Sequence, residues 1–158
     1  MIQQTCTLHS KEEFLEWVEK VKASTEYKTA RNILIRALSS LLPDEDIKDS
    51  PYLLNKLLPG AKIIGMSLTR FGSVLKHSDA PFVVISVFYF FKSDVTILEC
   101  GGAQLEYGDP SLMLKDKLLR IPNIKAVEVL CAGKSRYLSS FMETITEGLE
   151  HVDRKSVV

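Results

Sequence analysis

The sequence predicts an α/β domain, with an α+β arrangement as its variant, built as a mixed β-sheet of about six strands covered by about four helices. Three observations predict it. Some segments repeat apolar residues at helical spacing while others are short β-rich runs, and serine or aspartate followed by proline marks where helices start. The third is a core of ordinary size, since 46% of residues are apolar and 25% are charged. The 158 residues are read as a single domain.

Residues 3–8 alternate and carry the β-tolerant Thr5 and Thr7, which predicts a first strand. Ser10-Lys-Glu-Glu13 is a capping box: the serine oxygen takes an orphan amide and the glutamate answers three residues on. In the helix that follows, Phe14, Trp17, Val18 and Val21 form the buried stripe and Glu12, Glu16, Glu19 and Lys20 lie on the wet side, as far as Ala23. A polar turn over residues 24–31 leads to Asn32-Ile-Leu-Ile-Arg-Ala-Leu38, a second strand. Ser50-Pro51 then opens a short helix bearing Tyr52, Leu53, Leu54, Leu57 and Leu58, which Pro59-Gly60 ends.

Strand three is Ala61-Lys-Ile-Ile-Gly-Met-Ser67, and a looser stretch over residues 68–79 is the first candidate functional loop. Residues 81–90 and 93–99 are β-rich runs divided only around Phe91-Lys92, which predicts an antiparallel hairpin closed off by Gly101-Gly102. Asp109-Pro110 starts a helix through Leu112, Leu114, Leu118 and Leu119 that stops before Pro122. A strand over residues 125–131 and a helix over residues 135–150 complete the order β-α-β-α-β-β-β-α-β-α. Residues 151–158 are expected to fray or to begin a linker.

Twenty Lys plus Arg balance twenty Asp plus Glu. With no basic stripe to face phosphates, nucleic acid is not an expected partner. The longest apolar run, residues 80–91, falls short of the roughly 20 residues a membrane-spanning helix needs, so no membrane role is expected. The first residues lack the basic and apolar regions of a secretion signal, which points to the cytoplasm. Cys6, Cys100 and Cys131 are widely spaced and odd in number, so they are read as reduced core residues and not as a disulfide or zinc framework.

Ala132-Gly133-Lys134-Ser135 sits between a strand and a helix, where a phosphate loop would lie. The first glycine of that motif would fall at Glu128, so the stretch is read as a tight turn with Ser135 as cap, able at most to hold one carboxylate or phosphate. Gly65-Met-Ser67-Leu-Thr69 ends a strand at the sheet edge where ligands collect in α/β layers. Its plain reading is equally open: Gly65 lets another backbone approach, and the hydroxyls satisfy turn amides. His77 and Asp79 imitate a catalytic pair without a nucleophile, and Cys131 near Lys134 is read as inert. No catalytic residue, metal or cofactor is expected.

Taken in order, four blocks resemble the N-terminal portion of the FIST sensory domains. They are Asn32-Ile-Leu-Ile-Arg-Ala-Leu-Ser-Ser40, Leu57-Leu-Pro-Gly-Ala-Lys-Ile-Ile-Gly-Met-Ser67, Pro81-Phe-Val-Val-Ile-Ser-Val-Phe88 and Asp94-Val-Thr-Ile-Leu98. The resemblance runs from about Asn32 onward and implies an intracellular module that senses a small molecule, such as an amino acid, without transforming it. It also implies an attached signalling output and a second, C-terminal module, so the chain would be an N-terminal part. Gly65 and Ser67 match the family pattern, whereas its glycine-glutamate pair is missing, because Leu68-Thr-Arg-Phe-Gly72 follows Ser67. The expected ligand-binding residues are therefore Gly65, Ser67, Thr69, Arg70 and Gly133, with Arg70 neutralising a carboxylate. The alternative expectation is an interaction module that forms a homodimer through the strand hairpin or the last helix, marked by an exposed apolar patch over residues 82–91 or on the face of residues 137–149, with no small ligand.

Overall fold

The computed structural model of the protein describes residues 1–40, 50–68, 82–99, 110–130, 142–144, 147 and 153–157. The chain gathers into two compact units, Met1–Thr96 and Ile97–Val158, where one domain is expected from the sequence. The first holds β1 (Ile2–Leu8), α1 (Lys11–Ala23), α2 (Thr25–Thr29), β2 (Asn32–Ser40), α3 (Ser50–Leu57), β3 (Lys62–Leu68) and β4 (Val83–Phe90). The second holds α4 (Pro110–Leu119), β5 (Ala126–Leu130) and β6 (Asp153–Val157). Both helices and strands are thus present in a mixed α/β arrangement, and no helix among the described residues is long and apolar enough to cross a membrane.

The first unit is a four-stranded mixed sheet in the order β1-β4-β2-β3. β4 runs antiparallel to both neighbours, with Ile85 opposite Cys6 on one side and Ala37 on the other. β2 and β3 run parallel and are joined through α3, as a parallel pair requires a crossover. One face of the sheet presents Ile33, Ile35, Ala37, Val83, Ile85, Val87 and Tyr89, all buried, because residues two apart share a face. Phe14, Val18 and Val21 of α1 and Leu54 of α3, with Leu58 just beyond it, complete the same core. The opposite face is mixed: Arg36 stacks over the Phe88 ring at 5.4 Å, and the buried Ser86 hydroxyl meets Thr5 Oγ1 at 2.9 Å.

The caps predicted for α1 are present. Ser10 Oγ accepts from the Glu13 amide at 3.2 Å, while Glu13 Oε2 accepts from the His9 amide at 2.8 Å. The polar turn expected over residues 24–31 is instead the five-residue helix α2. Its cap is Ser24, whose hydroxyl donates to the Val21 carbonyl at 2.7 Å and accepts from the Tyr27 amide at 3.1 Å. A helix this short carries no buried residue and so leaves no apolar periodicity to read.

The hairpin expected from residues 81–90 and 93–99 does not form. A strand has two edges, and β1 and β2 already occupy both edges of β4, so residues 93–99 cannot pair with β4 as a hairpin requires, and they form no strand. They are held instead by side chains. Arg31 pairs with Asp94 at 3.0 Å, Asn32 Nδ2 donates to the Ser93 carbonyl at 3.2 Å and to Asp94 Oδ1 at 3.1 Å, and Lys62 Nζ donates to the Val95 carbonyl. The six-stranded sheet of the sequence reading is therefore this four-stranded sheet and a separate parallel pair, β5 with β6. Residues 153–157, expected to fray, are β6, where Asp153 through Val157 lie opposite Ala126 through Leu130 and their backbone groups gain a ladder.

In the second unit α4 begins at Pro110, as the cap-plus-proline signal predicts, and Leu118 is its buried residue, packed with Leu98, Leu114, Ile121 and Ile124. Asn123, at φ 56°, takes the left-handed conformation that asparagine tolerates and turns the chain toward β5. Lys115 pairs with Glu147 and holds that exposed carboxyl below the usual carboxylate range. Of the helix expected over residues 135–150, residues 142–144 are helical and Glu147 lies in a turn; Gly101-Gly102, Asp109 and residues 135–141, 145–146 and 148–150 lie outside the described residues.

Tyr89 tests how the core is balanced. It is fully buried, burial pushes its phenol pKa up, and Ser24 pulls the other way without closing a well-formed hydrogen bond. Tyr89→Phe removes a desolvated hydroxyl and should leave stability unchanged or raise it by about 1 kcal/mol. Ile85→Ala, which opens a void beneath α1, should cost about 2–5 kcal/mol. Urea unfolding of the two variants beside the parent checks both signs.

Candidate functional site

The crossover unit β2-α3-β3 builds the place where the sequence puts a ligand. α3 buries Leu54, with Leu58 buried just past its end, and the chain turns at Gly60, whose φ of +91° suits a residue without a side chain. Tyr27 Oη donates to the Pro59 carbonyl at 3.1 Å and ties α2 to this turn. β3 then enters the sheet beside β2, with Leu34 opposite Lys62 at the start and Ser40 opposite Leu68 at the end. Both strands finish at one edge of the sheet, and there Ser39 and Ser67 are register partners.

Gly65 lies opposite Ala37 in this ladder. A Cβ built on it would come within 2.7 Å of the Ala37 carbonyl oxygen, closer than real Cβ contacts come, so the backbone approach alone requires glycine here. Of the expected ligand-binding residues, Gly65 thus has a packing role, and Ser67 occupies the C-terminal half of β3 next to Ser39. Thr69, Arg70 and Gly133 lie outside the described residues, as do Lys76, His77, Asp79, Lys134, Ser135, Cys100 and Cys131. Ser39, the register partner of Ser67, is a candidate that sequence reasoning missed. Its signal was the Ser-Ser pair closing the β2 run, which becomes meaningful only once the parallel register is known.

The opposite end of the same strands is a polar clasp and not a pocket. Asp94 is engaged by both Arg31 and Asn32, and the two charged side chains are largely exposed. Such a pair adds little to stability in water, so its role is to guide the chain leaving β4.

Cys6 is half-buried on the core face of β1, and burial pushes its thiol pKa up, against a smaller lowering from the Ile85 backbone. A thiol shifted in that direction holds less thiolate at neutral pH and is a poor nucleophile. Among the described residues, no group of three or more His, Cys, Asp or Glu comes together as a metal site. Comparison with protein-family models, curated proteins and solved structures found no match for the chain.

If close approach is what requires Gly65, then Gly65→Ala must push β2 and β3 apart. The expected loss is about 1–3 kcal/mol of stability, read as a lower midpoint in thermal unfolding.

Proposed function

We propose that the chain is a non-catalytic sensory domain that binds a small molecule, an amino acid or an organic acid, and relays its presence to a signalling output in the cytoplasm. The observation that carries this reading is the register of the parallel pair: Ser39 and Ser67 lie side by side where β2 and β3 end. Thr69 and Arg70 follow Ser67 directly in the chain. In α/β sheets the carboxyl ends of parallel strands are where ligands collect. Hydroxyls and main-chain amides orient a carboxylate there, and a guanidinium neutralises it. The FIST-like order of blocks from Asn32 to Leu98 supports the same reading, with Gly65 holding the two strands close.

A second reading, an interaction module without a small ligand, draws on α4, where Leu112, Met113 and Leu119 stay exposed beside the buried Leu118. In the 82–91 region Phe82 and Tyr89 are buried, Phe88 and Phe90 are half-buried, and Phe91 is exposed.

A ligand that binds only the folded state must raise the melting temperature. Screening the amino acids and the common dicarboxylic and hydroxy acids by thermal shift should find at least one that does so in a concentration-dependent way. Ser39→Ala and Arg70→Ala should each weaken that shift at a given ligand concentration, each measured against the variant's own unliganded midpoint. A screen in which no compound moves the midpoint overturns the sensory reading.

A further inference from the structure

We propose that β1 is a self-association edge, pairing antiparallel with β1 of a second copy to continue the four-stranded sheet across a two-fold axis. The inference is independent of the sensory reading. Among the described residues no strand pairs with the outer edge of β1, whose inner edge is laddered to β4 from Ile2 opposite Tyr89 to Leu8 opposite Val83. Those seven rungs contain no bulge, and β1 has no proline and no charged residue. Sheets protect exposed edges with exactly those devices, namely charge, proline, bulges or short length, and β1 lacks each of them. The other outer strand, β3, starts at Lys62, whose ammonium is held by the Val95 carbonyl.

The occupant is argued from the residues of β1 itself. An antiparallel pair centred on Thr5 sets Ile2 against Leu8, Gln3 against Thr7, Gln4 against Cys6, and Thr5 against its own copy. Apolar side chains meet apolar ones at the two ends, and amides meet small polar groups between them. The face assignment agrees with the pairing, because Ile2, Gln4, Cys6 and Leu8 share one face of the sheet and Gln3, Thr5 and Thr7 the other. With no charge on the strand and a formal net charge of zero on the chain, two copies meet without repulsion. Ile2, Gln3, Gln4, Thr5 and Thr7 are exposed in the single chain and available for contact. An isologous edge of this kind closes as a dimer, because each copy uses up its free edge.

The test is sedimentation velocity of the full chain over a micromolar concentration series, with two double variants. Gln3→Lys/Thr7→Lys sets lysine against lysine in two rungs and should raise the dimer dissociation constant about tenfold. Gln3→Lys/Thr7→Glu sets each new lysine against the other copy's new glutamate and should restore dimerisation to the parent level. Equal melting midpoints under monomeric conditions show that both variants fold. Amide exchange supplies a readout free of substitution: β1 amides of the parent should slow as concentration rises. A parent that stays monomeric overturns the proposal. So does a dimer indifferent to both double variants, which would place association elsewhere, for example on the exposed face of α4.

Discussion

The first unit depends on β4 having both of its edges filled. With β1 on one side and β2 on the other, each antiparallel, Val83, Ile85, Val87 and Tyr89 are fixed on the face that α1 and α3 cover. Shifting either register by one residue would turn those four side chains toward the mixed face and bring Val84, Ser86 and Phe88 into the core. Ser86 already shares a hydrogen bond with Thr5 on the mixed face, so a slip would also bury a hydroxyl without that partner. The apolar face and the polar rung therefore specify one and the same alignment. The alignment in turn holds β2 where β3 can join it in parallel.

What could be read along the chain was whatever is written locally. The capping box at Ser10, the proline at the head of α4 and the Pro59-Gly60 stop each act within a few residues, and each is found where expected. Strand pairing is not local. Two β-rich runs on either side of Phe91-Lys92 invite a hairpin, yet the partners of β4 come from residues 2–8 and 32–39, far away in sequence. The short helix α2 escaped for another reason: it has no fully buried residue, and it is capped by a single serine and shows no apolar stripe. Likewise, nothing in Asp153-Arg-Lys-Ser-Val157 alternates strongly enough to announce a strand that β5 recruits by its own backbone.

The candidate site divides along the same line. Gly65 and Ser67 stood out as residue types, and the ladder supplies a backbone reason for the glycine and a neighbour, Ser39, for the serine. A glycine demanded by a carbonyl 2.7 Å from its would-be Cβ serves packing first, so any ligand contact at that position is secondary to holding the strands together. The functional proposal rests on the register of Ser39 and Ser67 and not on Gly65. Thr69 and Arg70 enter it through chain continuity alone.

Ser24 closes one helix and opens the next with a single hydroxyl. The end of α1 and the start of α2 therefore share one hydrogen-bonding group. Through the Tyr27 hydroxyl α2 reaches the Pro59 carbonyl and the turn that feeds β3. Two hydrogen-bonded steps thus join the surface corner at residue 24, which lies 38 residues upstream of the first residue of β3, Lys62, to the turn before that strand.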